Sequence, residues 1–136
     1  MKSKLCRVGT TYIPVVDVNR SADWYVNKIG AELGYKDEDK AIVNFANQSF
    51  FLVKSNGQQT SNFVDINGEE WFSVTFEVDG QDALIALHRE FAEAEIKVGE
   101  IENRGHAGRN FIFYDPNGNQ FDVWSELSSD FKNRMK

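Results

Sequence analysis

The sequence has little of several features on which particular functions depend. Cysteine occurs once, at Cys6, so no disulfide can form within the chain, and a reducing, cytoplasmic location is expected. No run of about 18 apolar residues occurs, so we expect no membrane span and no membrane partner. The basic residues near the amino terminus have no apolar segment behind them, so we expect no signal peptide.

Basic residues are also in the minority. The chain has 15 Lys and Arg against 21 Asp and Glu, giving a formal net charge of −6. No basic stripe is visible, so a nucleic-acid partner is not expected. With 136 residues, of which 41% are hydrophobic, the chain is long enough for one domain with a full core.

The stretch from Asn110 to Trp124 carries the clearest local pattern. Two alternating segments flank Asp115-Pro116-Asn117-Gly118, a sequence typical of a tight turn between strands. Alternation gives this hairpin one apolar face, and an opposite face that carries an acid and two large aromatics beside Ile112: Asp122, Tyr114 and Trp124. The pattern predicts a sheet with a core on one side and a cup on the other.

The remaining patterns predict one element order that occurs twice. The expected elements are a strand over 6–15, a helix capped by Asp17 or Asn19 and ended by Gly30, a strand over 33–36, a hairpin over 41–54, a strand over 71–78, a helix capped by Asp79, a strand over 96–101, and the closing hairpin. We therefore predict one domain with module one at about 6–54, a linker or mobile lid at about 55–70, module two at about 71–126 and a tail over 127–136.

Three stretches resemble the vicinal oxygen chelate superfamily, which groups glyoxalases, bleomycin-resistance and fosfomycin-resistance proteins and extradiol dioxygenases. They are DPNGNQFDVW at 115–124, YIPVVDVNRSADWY at 12–25 and FSVTFEVD at 72–79. The resemblance implies an α+β fold with two βαβββ modules that form a curved mixed sheet, with helices on its convex face and the cup on its concave face. Sheets of this kind leave long edges, so we expect a homodimer.

The resemblance also locates the positions that hold a divalent metal in the enzymes of the superfamily. Carried onto this sequence, they are Thr10, Phe51, Ser73 and Asp122. Only Asp122 is a competent ligand, because a phenyl ring cannot coordinate and neutral hydroxyls bind transition metals poorly. His88 falls on the second helix and His106 in a loop, and His106 with Asp122 would supply only two ligands. We therefore expect no metal and no other cofactor.

The expected cup combines aromatic side chains with small polar ones, which suits an aromatic or cationic small molecule. The candidate ligand-binding residues are Thr10, Tyr12, Phe51, Ser73, Thr75, His106, Arg109, Tyr114, Asp122 and Trp124. A buried carboxylate needs compensation, so Asp122 is expected to meet Arg109, Thr10, Ser73, a water or the ligand. The alternative is that the aromatics fill a collapsed cup.

Three functions follow from this reading. The first is a metal-free protein, resembling the bleomycin-resistance branch, that binds or sequesters a small aromatic or cationic compound. The second is a lyase, isomerase or dioxygenase of the superfamily with a degenerate or metal-independent site, in which Asp122 or His106 acts as general acid or base. The third is a structural or regulatory dimer without a ligand. No residue pattern identifies the ligand.

Overall fold

The computed structural model describes residues 2–135, and the chain divides into two compact units between Thr60 and Ser61. Each unit has its own sheet and its own buried core. Within the described residues, no helix is both long and apolar enough to cross a membrane.

The first unit contains a four-stranded sheet in the order β1-β4-β3-β2. Its strands are β1 (Thr10–Val15), β2 (Glu32–Lys36), β3 (Lys40–Phe45) and β4 (Gln48–Lys54). β1 pairs with β4 in parallel, whereas β3 pairs with both β4 and β2 in antiparallel fashion. Pro14 therefore lies on an edge strand, where its missing N–H costs no ladder bond.

Helix α1 (Val18–Trp24) follows β1 and continues through a π-helical segment, Tyr25–Ile29. The Asp17 carboxylate caps it by accepting a hydrogen bond from the Arg20 N–H at 3.1 Å, and Gly30 ends it at φ 83°. The sequence predicted both signals. The buried face of the sheet, under this helix, carries Ile13, Val15, Ala41, Val43, Phe50 and Leu52.

The second unit contains a short ribbon and a three-stranded sheet in the order β7-β9-β8. The ribbon pairs β5 (Phe63–Val64) with β6 (Glu70–Trp71), and the sheet is formed by β7 (Thr75–Glu77), β8 (Asn110–Tyr114) and β9 (Gln120–Trp124). Its helices are α2 (Gln81–Glu93) and α3 (Ser129–Arg134). Parallel β7–β9 pairing repeats the β1–β4 arrangement of the first unit.

The closing hairpin β8–β9 forms as predicted. The Gly118 N–H donates to the Asp115 carbonyl at 3.1 Å, and Gly118 has φ 85°, which only glycine adopts without strain. Phe121 packs against Phe113 on the core face, with ring centroids 5.3 Å apart, while Asp122 points to the other face. The α+β class, with helices packed on one face of the sheets, is confirmed.

Several predicted element boundaries are wrong. The strand expected over 71–78 is interrupted between β6 and β7, and the one expected over 6–15 begins only at Thr10. Residues 96–101 form no strand, because this segment pairs with β8 only through an isolated bridge at Val98, and a second isolated bridge follows at Glu102. The Asp79 side chain does not cap α2, whose N-cap is Gly80; it forms an ion pair with Lys132 at 2.9 Å.

Candidate functional site

An open aromatic row crosses the first unit's sheet on the face opposite α1. The strand register aligns Tyr12 with Phe51, Phe51 with Ile42, and Ile42 with Tyr35. Tyr12 is 63% exposed, and its ring centroid lies 5.2 Å from that of Phe51. A face built for burial would not leave these rings in water, so the aromatic row is a candidate contact surface for a planar ligand.

A polar row lies beside the aromatic row on the same face. The register aligns Thr10 with Ser49 and Ser49 with Asn44, and the Ser49 hydroxyl donates to Asn44 Oδ1 at 2.7 Å. Thr10 and Tyr12 therefore occupy neighbouring rows, as the sequence predicted. Ile42, Tyr35, Asn44 and Ser49 were not among the predicted site residues, because the register of β3 and β2 against β4 cannot be read from the sequence.

In the second unit, Asp122 lies on the face opposite the phenylalanine core and is only 2% exposed. Its Oδ2 accepts hydrogen bonds from the Thr75 hydroxyl at 3.0 Å and from the Asn110 amide at 2.9 Å. Register explains the first bond, since Thr75 and Asp122 are directly paired across β7 and β9. Two neutral donors thus fix one carboxylate oxygen.

Arg104 neutralises the other carboxylate oxygen. Its Nη1 lies 3.1 Å from Asp122 Oδ1, its Nε donates to Glu102 at 3.2 Å, and the guanidinium lies 5.5 Å from the centre of the Phe72 ring. The sequence correctly indicated that Asp122 needs compensation, but the partners it offered were Arg109, Thr10, Ser73, a water or the ligand, and Arg104 was not among them. Arg109 instead donates from its side chain to the Gly108 carbonyl at 2.9 Å. The bridge between Glu102 and Asn110, which no sequence signal shows, brings Arg104 close to Asp122.

Burial raises the pKa of the Asp122 carboxyl above its ordinary value of 3.8. The charge of Arg104 opposes this shift, and so do the hydrogen bonds from Thr75, Asn110 and Arg104 itself. The free-energy cost of removing the carboxylate from water is therefore greater than the stabilisation that Arg104, Thr75 and Asn110 provide. Asp122 is a buried acid with its own counterion, which leaves little attraction for a second cation.

Trp124, two residues beyond Asp122, is held by the loop that precedes β8. Its indole N–H donates to the Ala107 carbonyl at 3.0 Å, and the His106 ring meets it edge-on at 5.9 Å. Gly108 makes this contact possible, because a Cβ there would lie 2.9 Å from the Trp124 indole nitrogen. His106 itself is exposed. It contacts the predicted site residue Trp124 but not Asp122.

The other predicted site residues of this unit lie in different settings. The Ser73 hydroxyl donates to the Ser61 carbonyl at 3.0 Å, and the Tyr114 ring receives the Lys97 ammonium at 4.4 Å. His88 is a packing residue: its Nε2 lies 2.9 Å from the Gly99 carbonyl oxygen and its ring meets Phe111 edge-on. These contacts leave Asp122, Thr75, Asn110 and Arg104 as the polar cluster of the second unit.

The donor set does not fit a divalent metal. Thr10, Phe51 and Ser73 supply no anionic ligand, and Asp122 is already bonded by two hydrogen-bond donors and paired with Arg104. Across residues 2–135, no three side chains of His, Cys, Asp or Glu come together in a way that could hold an ion. A metal at Asp122 would have to displace a guanidinium.

Comparison with known proteins identifies the family. The Glyoxalase/Bleomycin resistance protein/Dioxygenase superfamily profile matches residues 7–123, nearly the whole chain. The chain belongs to this superfamily, as its three sequence stretches indicated. A search of curated proteins found no match.

Several solved structures share the fold at low sequence identity. A lactoylglutathione lyase from Agrobacterium tumefaciens is 18% identical, with TM-score 0.71, over 90% of this chain and 96% of that one. The fosfomycin resistance protein FosX from Listeria monocytogenes is 14% identical, with TM-score 0.71, over 90% and 95%. TnmS3, an antibiotic binding protein from Streptomyces sp. CB03234, is 20% identical, with TM-score 0.70, over 93% and 100%. At these identities the likeness establishes the fold alone.

Proposed function

We propose that this protein binds a small aromatic molecule without a metal, on the face of the first unit's sheet that lies opposite α1. The observation that carries the proposal is the aromatic row, in which Tyr12 is 63% exposed, whereas Ile13, Val43 and Phe50 on the opposite face of β1, β3 and β4 are buried. Stacking on such rings contributes on the order of 1 kcal/mol per contact. Micromolar rather than picomolar affinity follows unless the ligand gains further contacts.

The surroundings of Asp122 favour the aromatic over the cationic ligand. A cationic ligand would need a free carboxylate, whereas Asp122 is buried and paired with Arg104 at 3.1 Å. The antibiotic binding protein among the structural neighbours supports binding as a use of this fold. The lyase and the fosfomycin resistance protein show that the fold also supports other roles.

A second candidate function is metal-independent catalysis with Asp122 as general acid. The raised pKa of its carboxyl favours this role, because a proton is then held closer to neutral pH. Against it, the carboxylate is only 2% exposed and both oxygens are engaged. Turnover that disappears in Asp122→Asn while ligand binding persists would select the enzyme over the binding protein.

We also propose that the protein acts as a cytoplasmic homodimer. The exposed thiol of Cys6 supports a reducing compartment. Edge strand β2 carries Leu33 and Tyr35, which are 49% and 47% exposed, and apolar side chains on an edge favour pairing with a second copy. Sedimentation at tens of micromolar should give the mass of two chains, and a single-chain mass would exclude this dimer.

A thermal-shift panel tests the binding proposal. Planar aromatic compounds should raise the melting temperature in the presence of a chelator, since a ligand held only by the folded state stabilises it. The shift should be lost in Phe51→Ala and retained in Trp71→Phe, which changes an aromatic side chain outside the aromatic row.

Protein soaked in zinc, nickel or manganese and then desalted should retain well below one ion per chain. Stoichiometric retention that Asp122→Ala removes would contradict the metal-free proposal.

A further inference from the structure

A pocket of about 370 Å³ opens in the first unit where β1 begins and β3 turns into β4. Its polar lining consists of Arg7, Asn44, Asn47, Gln48 and Ser49. No Asp or Glu lines it, although the chain has 21 acidic residues and a net charge of −6. Arg7 is the charged residue of this polar pocket, so its local charge is opposite to that of the whole protein.

The Arg7 guanidinium retains its charge for a ligand. Its Nη2 donates to the Asn47 carbonyl in the turn between β3 and β4, which holds the side chain in place without neutralising its charge. Within residues 2–135, no carboxylate lies within ion-pair distance of Arg7. Guanidinium groups bind carboxylates and other oxyanions through paired N–H donors, so the remaining donors of Arg7 suit an acidic group.

The side-chain amide of Asn44 adds a further donor. Asn44 Oδ1 accepts the Ser49 hydroxyl at 2.7 Å, which orients the amide and leaves its Nδ2 as a donor. Gln48 also lines the pocket, but strand alternation places its side chain on the opposite face of β4 from Ser49. A cationic group would find one guanidinium and no carboxylate here, whereas an oxyanion would find a charge and several N–H groups.

The polar pocket adjoins the aromatic row. Ser49 and Phe51 are alternate residues of β4 on one face, about 7 Å apart along the strand. We propose that the protein's ligand is an aromatic acid, whose carboxylate or equivalent oxyanion binds at Arg7 and Asn44 while its ring lies against Phe51 and Tyr12. The ring's position rests on the proposed function; the oxyanion's position rests on the polar pocket alone.

Two probes of one shape test the inference: 2-naphthoate, which is anionic, and 2-naphthamide, which is neutral. NMR titrations would follow the Asn44 side-chain amide together with the Tyr12 and Phe51 rings. Naphthoate should bind about tenfold more tightly than naphthamide, the factor expected of a charged hydrogen bond. Arg7→Gln should reduce this preference to within about twofold and leave naphthamide binding unchanged. Arg7→Lys should retain part of the preference.

Arg20→Gln is the matched control, since Arg20 is exposed on α1 and lies outside the polar pocket. It should keep the full preference for naphthoate. Equal affinity for the two probes with shifts at Tyr12 and Phe51 would overturn the acid site and leave the aromatic ligand in place. Shifts at the Asn44 amide alone, lost in Arg7→Gln, would support the acid site and overturn the proposed ring position. No response to either probe at millimolar concentration would overturn both.

Discussion

The two units share a parallel β–α–β arrangement and use the helix-free face of the sheet in opposite ways. In the first unit this face is open and carries the aromatic row, with Tyr12 63% exposed. In the second it holds Asp122, 2% exposed and paired with Arg104. In both units, strand alternation directs the core side chains to the helix face and leaves the other face available for other side chains. The same arrangement of strands therefore supports a contact surface in one unit and a closed polar cluster in the other.

Removing the counterion of Asp122 should have the largest effect. Arg104→Ala leaves a buried carboxylate with only neutral donors, and breaking such a pair costs about 3 kcal/mol in the free energy of unfolding. Arg109→Ala is the matched control, because the Arg109 side chain bonds a carbonyl of its own loop and no carboxylate. Its loss should be below about 1 kcal/mol. Urea denaturation at neutral pH measures both, and equal losses would show that Arg104 does not compensate Asp122.

A smaller loss is expected where the loop meets Trp124. Gly108 has φ 79°, and a Cβ there would lie 2.5 Å from the Ser125 hydroxyl oxygen. Gly108→Ala should therefore cost about 2 kcal/mol and move the Trp124 indole N–H signal in NMR spectra. Gly105→Ala shares the positive φ but meets nothing within 4 Å, so it should cost about 1 kcal/mol and leave that signal in place. If both variants behave alike, backbone strain rather than contact with Trp124 sets the cost.

Opposite pH dependences should distinguish one carboxylate in each unit. Burial raises the folded-state pKa of Asp122 above its ordinary value of 3.8, which means that folding favours the protonated carboxyl. The resulting stabilisation is complete below pH 3.8 and is lost as pH rises through the folded-state pKa. Backbone hydrogen bonding, chiefly from Asp39, lowers the pKa of exposed Asp37 to about 2, so its contribution is present above 3.8 and is lost as pH falls towards 2.

The stabilities of Asp122→Asn and Asp37→Asn relative to the wild type should therefore diverge. As pH rises from 3.8, Asp122→Asn should gain on the wild type. As pH rises from about 2 to about 4, the interval between the folded-state pKa of Asp37 and its ordinary value, Asp37→Asn should fall behind the wild type. Thermal melts across this range measure both trends. A parallel change in the two variants would show that the environments of the two carboxylates do not differ as described.

The smallest effect on stability is expected on the open face of the first unit. Phe51 is only partly buried and contacts Tyr12 across the strands at 5.2 Å, so Phe51→Ala should cost about 1 kcal/mol. Phe50→Ala is the matched change on the core face, where the ring is 1% exposed, and it should cost about 3 to 5 kcal/mol. Comparable losses in urea denaturation would mean that the Phe51 face is part of the core.

The sequence predicts what depends on local chemistry. Alternation assigned Phe121 and Asp122 to opposite faces, the Asp115–Gly118 turn placed the closing hairpin, and Asp17 and Gly30 bounded the first helix. The strand predicted over 96–101 does not form, because a continuous hydrogen-bond ladder depends on the geometry of the partner strand, which alternation does not show.

Contacts over longer distances could not be predicted in the same way. The need to neutralise Asp122 was visible, but the choice of Arg104 over Arg109 depends on a bridge between Glu102 and Asn110. The aromatic row joins residues from four strands, so Ile42 and Tyr35 could be added to Tyr12 and Phe51 only once strand register was known.

The most direct test of metal-independent binding is a titration of chelator-treated protein with 2-naphthoate, followed through the ring signals of Tyr12 and Phe51. The account predicts saturable shifts of both rings at micromolar to millimolar ligand without added metal, and loss of the Tyr12 shift in Phe51→Ala with the fold retained. Shifts that arise only after zinc, nickel or manganese is added, or that persist in Phe51→Ala, would contradict it.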